Sequence, residues 1–236
     1  MLLHCDIDHQ ASDTPAGWLR SGTLASLREL NHECLELCAQ NPRGSEAPPL
    51  CTEIGQRWIA LAPAARLQLC AGMVLLADAG LADLRRWRCA ALGEPAATGA
   101  AWFAGAAAAS ATQGLLSFAW HLARFQPGAA RLLLGMSGEC AAQLAQLTLG
   151  EVRAVARTCP HWLRLRWAAR PRLWRGLFAA AELGDAATLE RLRLHGQALV
   201  AAESRRLGPV QATRPRSGAA ERLRLRTAAG LTAGAA

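Results

Sequence analysis

Apolar residues recur at three- and four-residue steps along most of this chain, and glycine, proline or small polar residues interrupt the steps at short intervals. That period marks amphipathic helices. Leu24, Leu27, Leu30, Cys34, Leu37 and Cys38 share one face of a helix over 24–40, which Ser21 or Thr23 can cap; Glu29, Glu33 and Glu36 lie mostly opposite. A loop rich in Pro, Gly, Ser and Glu covers 41–49. A second helix is predicted over 50–61, burying Ile54, Trp58 and Leu61. Pro63 starts a third, with Leu67, Leu69 and Cys70 inward. Residues 73–76 are apolar but too few for their period to separate a buried helical turn from a stub of strand. Gly80 breaks that run, and a helix over 81–91 carries Arg85, Arg86 and Arg88 on a small basic face.

The densest signals lie over 115–156. An apolar helix ends at Arg124 and Phe125, Pro127 opens the next, and Gly135 closes it. Ser137 caps a third helix, and Thr148 caps a fourth with Glu151 at the capping-box spacing. The last two, over 138–144 and 149–157, have the size of a helix-turn-helix. Over 163–167 the period changes to two: Leu163, Leu165 and Trp167 point one way, and Trp162, Arg164 and Arg166 the other. This lone strand needs a partner, which a dimer mate or another subunit could supply. A helix over 172–183 follows with Trp174 and Phe178 inward. Gly184 stops it, and Asp185 caps a last helix carrying Leu189, Leu192, Leu194, Leu199 and Val200.

Leucine and alanine dominate and strand formers are few, so the expected fold class is all-α: a multi-helix bundle with a helix-turn-helix-like pair and at most one short strand. The expected organisation is a helical N-terminal subdomain over 1–94, opening on a loose leader, then a helical domain over 95–206 and a basic disordered tail over 207–236. Residues 95–123 carry no formal charge, but alanine, glycine, serine and threonine fill most of the run. It therefore predicts a central buried helix rather than a membrane span, with a linker over 104–112 as the alternative for its first part. No secretory signal opens the sequence, which predicts a cytoplasmic protein with reduced cysteines.

Charge is unevenly placed. All 26 basic residues are arginine. Residues 1–152 have a net charge of −3 and residues 153–236 of +11, which together make the chain's +8. The run from Arg153 to Arg175 holds Arg153, Arg157, Arg164, Arg166, Arg170, Arg172 and Arg175, with Trp162, Trp167 and Trp174 between them. Guanidinium forks suit phosphate and tryptophan can stack on bases, so these arginines are the candidate DNA-phosphate contacts; the tryptophans read first as core. The lysine-free, alanine-rich usage points to a GC-rich bacterial genome.

Residues 117–202 resemble the FlhD family of flagellar transcriptional activators. The resemblance rests on Ala119-Trp120-His121-Leu122-Ala123, on Leu134-Gly135-Met136-Ser137, on Leu147-Thr148-Leu149 with the helix to Ala156, and on the segment 163–167, at nearly gap-free spacing. It implies a promoter-binding regulator that works as an oligomer with an FlhC-like partner subunit, the partner supplying a zinc site and much of the DNA contact. In that scheme the apolar helix, through Leu115, Phe118, Trp120 and Leu122, would drive self-association, and Ser137 and Thr148 would position the helix-turn-helix. The family's intersubunit disulfide has no cysteine at its matching position, which holds Leu163.

Nothing in the sequence nominates a cofactor, metal or catalytic site. Cys34 and Cys38 share a helix face, yet no C-x-x-C pair exists and His32 diverges from Cys34, so buried thiols are expected rather than zinc ligands. No phosphate-binding loop, dinucleotide fingerprint or hydrolase motif occurs, and His121 reads as a core or interface histidine rather than a base. The chain is therefore expected to be a non-enzymatic DNA-binding regulator. The second expectation is a helical adaptor that uses the same arginines on an acidic partner. One contiguous arginine face would favour the first and a scattered one the second.

Overall fold

The computed structural model describes residues 21–40, 47–91 and 101–206. Ten α-helices and one two-stranded antiparallel sheet make up the described residues, an all-α fold. In chain order these are α1 (Ser21–Gln40), α2 (Pro49–Ala60), α3 (Pro63–Cys70), β1 (Ala77–Asp78), α4 (Leu84–Ala91), α5 (Gly105–Phe125), α6 (Pro127–Leu134), α7 (Gly138–Gln146), α8 (Leu149–Thr158), a 3-10 turn (Pro160–Trp162), β2 (Arg164–Leu165), α9 (Pro171–Glu182) and α10 (Ala186–Arg206). The loose leader and the basic tail lie outside the described residues.

The charge-free helix α5 is the hub. Ala108, Ala111, Thr112, Leu115, Leu116, Ala119, Leu122 and Ala123 are buried along it, a stripe with helical spacing. Its first half is small enough for α1 to lie close: a Cβ on Gly114 would stand 3.6 Å from the Leu30 side chain. The Thr112 hydroxyl donates to the Ala108 carbonyl at 2.7 Å, so it needs no outside partner. The helix is continuous from Gly105, so the linker considered over 104–112 is not realised. No described helix is long and apolar enough to cross a membrane.

Around α5 the capping signals appear as read. Pro127 occupies the first turn of α6, and Gly135 ends it in the left-handed region at φ 71°. The Ser137 hydroxyl accepts from the Cys140 amide, and Thr148 and Glu151 close a reciprocal capping box. The helices α7 and α8 both pack mainly on α5 rather than on each other, unlike the mutually packed helices of a helix-turn-helix.

The N-terminal helices join the same core. One apolar cluster runs from Leu27 to Val200, so the two expected parts are not separate in packing; the boundary near residue 94 lies outside the described residues. The helices α1 and α2 meet where Gly55 abuts Cys38, and a Cβ there would stand 2.2 Å from the Cys38 carbonyl oxygen. Leu67, expected inward, is 59% exposed, and Leu194 is 56% exposed. At about 100° per residue, Leu67 points away from the face that Leu69 buries, and Leu194 away from the face that Leu189 buries.

The expected strand is shorter than its apolar period, and its partner is internal. Residues 164–165 pair with 77–78, in the register Ala77 to Leu165 and Asp78 to Arg164. Neither a dimer mate nor another subunit is needed. Simple alternation also fails, because Trp162 and Arg166 are buried along with Leu163, Leu165 and Trp167. Arg166 is 5% exposed. Its Nε donates to the Ala77 carbonyl at 3.3 Å, and its Nη2 donates to the Leu134 carbonyl at 2.8 Å. Its backbone N–H donates to Leu76, and its own carbonyl accepts from the Trp174 indole. The next residue, Trp167, is the one described non-glycine residue at positive φ, 54°, a conformation costing on the order of 1–3 kcal/mol for a bulky side chain.

Two outcomes follow from this packing. Arg166→Ala should lower stability by about 3–5 kcal/mol in urea unfolding, because it strips buried carbonyls of their donor; a loss below about 1 kcal/mol would contradict the buried role. Gly55→Ala should destabilise by several kcal/mol, since the Cys38 backbone cannot yield to a side chain, whereas Gly138→Ala, in open space, should be near neutral.

Candidate functional site

The seven arginines singled out in the sequence have four different fates. Arg166 is structural, as described, so the expectation that it meets phosphate is corrected: three peptide groups of its own chain and the sheet's position claim its donors. Arg164, opposite Asp78 in the sheet, is half-buried and lies over the Trp102 ring at 5.4 Å. Arg175 is exposed, but its fork is engaged by both carboxylate oxygens of Glu53, at 2.7 and 2.8 Å. That pair holds the Glu53 carboxyl below its usual range. Arg153, Arg157, Arg170 and Arg172 remain exposed, and their guanidinium groups have no hydrogen-bond or ion-pair partner among the described residues.

These four form two pairs on different elements. Arg153 and Arg157 stand one turn apart on α8, which packs on α5. Arg170 and Arg172 flank Pro171 at the start of α9, which packs on α10, α3 and α2. With Leu192 and His195 they line a groove of about 510 Å³. The capping box affects how α8 could approach a phosphate backbone. The Thr148 N–H and hydroxyl hold the Glu151 carboxyl below its usual range, and so place a negative charge on the N-terminal turn of α8. A recognition helix reads bases with that turn. On α8 the cations stand further along, toward the C-terminal end.

The residues expected to drive oligomerisation are occupied within the chain. Leu115 and Leu122 are buried beneath the protomer's own helices, and Phe118 and Trp120 are half-buried. The Trp120 indole donates to the Leu147 carbonyl at 2.7 Å and carries the Arg124 guanidinium on its face at 5.0 Å. An apolar helix must be covered, and α1, α6, α7 and α8 cover it here. His121, read as a core or interface histidine, lies outside the core: it is exposed beside Phe125 at 4.9 Å.

Sequence reasoning missed two features. One is a depression of about 800 Å³ between α6 and α10, where Met73, Leu132 and Leu194 remain exposed. The other is a cleft of about 270 Å³ lined by Asp78, Trp102, Arg164, Arg166, Trp167 and Glu203. With Leu134 and Gly135, its lining comes from five separate stretches of chain, so no spacing signals it.

Cys34, Cys38, Cys51 and Cys70 are free thiols buried among α1–α3. No group of three His, Cys, Asp or Glu among the described residues could hold a metal ion. No known family, characterised protein or solved structure matches this chain.

Burial pushes the Cys34 thiol well up and the Cys70 thiol up to about 12. In the unfolded chain both return to about 9.0. Above that pH the unfolded state loses protons that the folded state keeps, so stability should fall as pH rises from about 9 toward 12, by up to about 1.4 kcal/mol per pH unit for each thiol. The chain has no lysine or tyrosine to obscure this. Urea midpoints at pH 7.5 and pH 10 measure it, and a Cys34→Ala, Cys70→Ala variant should show a shallower decline.

Proposed function

We propose that this chain is a non-enzymatic helical subunit of a bacterial transcription-regulatory complex, and that it contacts promoter DNA directly through its own arginines, with an FlhC-like partner supplying further contacts. The observation that carries this reading is the division of the arginines: Arg166 and Arg175 are committed to partners within the fold, Arg164 is half-buried over Trp102, and the four free ones form two separate pairs. Each neutralised phosphate contributes about 0.9 to the salt slope of binding to duplex DNA, so the α8 pair accounts for a slope of only about 2. Among the landmarks that resemble the FlhD family, those over 134–137 and 147–149 are caps and turns of α6–α8, and the latter opens the helix that holds Arg153 and Arg157 toward solvent. Cytoplasmic location and the absence of catalysis belong to this same proposal.

The dispersal of the arginines also favours the second reading, a helical adaptor with no DNA affinity. Fluorescence anisotropy of the full chain on labelled duplex DNA, over a salt series, separates the two. On the first reading the Arg153→Ala, Arg157→Ala variant should lower the slope by about 2. Arg175→Ala, which loses a side chain already held by Glu53, should leave it unchanged. An unaltered slope in the double variant would remove α8 from the interface, and no binding at low salt would overturn direct DNA contact by this chain and favour the adaptor reading.

A further inference from the structure

The cleft beside the sheet holds two opposite charges that the protein itself leaves unpaired. Asp78 and Arg164 face one another in the antiparallel register and therefore share one face of the sheet. They do not pair. Asp78 Oδ1 instead accepts from the Gly80 amide at 3.1 Å and stands 3.9 Å from Arg166 Nη2. Arg164 is thus a half-buried guanidinium with no acceptor and no carboxylate within ion-pair distance; its one charge contact is the Trp102 face, and its Nε is buried without a partner. Glu203, on the last turns of α10, lines the same cleft and has no basic partner among the described residues.

Once Asp78 and Arg166 are set against each other, Arg164 and Glu203 remain as one positive and one negative group over an otherwise apolar lining. The half-buried Arg164 is stabilised by a counter-charge, and the exposed Glu203 at the rim of the cleft offers a second, negative contact, so this lining suits a ligand of zero net charge that carries both signs. The Trp167 ring is set against the cleft at a cost. Its backbone is left-handed at φ 54°, and a Cβ on Gly196 would come within 2.6 Å of its ring. Strain of that kind is found where a side chain is held for a ligand. At about 270 Å³ the cleft is below the usual range for drug-sized ligands and suits a small metabolite.

We infer that this cleft binds a free α-amino acid with an apolar side chain, its carboxylate on Arg164, its ammonium on Glu203, and its side chain against Trp102 and Trp167. This does not depend on the DNA-binding proposal. The test is a thermal-shift screen of the full chain against the standard L-α-amino acids at millimolar concentration, followed by calorimetric titration of those that shift it, with L-leucine as the reference probe. L-Leucinamide lacks the carboxylate and N-acetyl-L-leucine lacks the ammonium, so both should bind about tenfold more weakly or worse. Arg164→Gln and Glu203→Gln should each weaken binding to a similar degree, and Glu203→Gln, at an exposed position, keeps the test valid if Arg164→Gln disturbs the sheet. Arg153→Ala with Arg157→Ala should leave amino-acid binding unchanged. No shift with any amino acid, equal binding of the blocked forms, or an unaffected Glu203→Gln variant would overturn the inference.

Discussion

A connection that runs through a protein core must find partners for peptide groups that no helix satisfies. Here the connection is the stretch 71–79, in which Val74, Leu75, Leu76, Ala77 and Ala79 are all buried. Two polar side chains satisfy it. Asn31, fully buried on α1, donates to the Cys70 and Val74 carbonyls and accepts from the Leu76 amide at 2.7 Å. Arg166 takes the Ala77 carbonyl from the other side and at the same time caps the end of α6 through Leu134. The N-terminal helices, the sheet and α6 are therefore joined through hydrogen bonds that span long sequence separations. Removing either side chain would leave several carbonyls or amides unsatisfied in a dry site.

That constraint also determines what the arginines can do. The guanidinium group is always charged, and its planar fork can serve several carbonyls at once, so in a lysine-free chain arginine takes on structural tasks as well as surface ones. Arg166 holds the core, Arg57 and Arg175 tie α2 to α9 through Glu182 and Glu53, and Arg193 spans from α10 to the Gln68 carbonyl of α3. What remains for a partner is a smaller and more divided cationic surface than the net charge suggests. The same arrangement leaves Arg164 beside, rather than on, Asp78, and so produces the charge-divided cleft between sheet, α6 and α10.

Much of the helical architecture was legible in the sequence. Pro127, Gly135, Ser137, the Thr148–Glu151 box and Asp185 act locally, so their spacing alone predicts where helices begin and end. The buried faces of α2 and α9 followed from period. What could not be read depends on tertiary partners. The two-residue strand β1 is too short to show a period, so the mate of β2 was sought in another subunit. Arg166 looks like a surface cation in the sequence because the carbonyls its side chain takes, Ala77 and Leu134, lie 89 and 32 residues away. Asn31 lies within an apolar helix face and resembles a surface polar residue until the 71–79 stretch is placed against it. The cleft depends on β1 and on Arg166 and was hidden with them.

The central claim is that α1–α3 and α5–α10 form one cooperative unit, closed by the hydrogen bonds of Asn31 and Arg166. Native-state hydrogen exchange of the full chain in low denaturant tests it most directly, through the amides of Leu75, Leu76 and Arg166, which bond across the junction. One unit predicts that these amides and the slowest amides of α2 and α5 converge on the same opening free energy as global unfolding. A separate, lower-energy opening of the N-terminal helices and the junction, with α5 to α8 still protected, would contradict it.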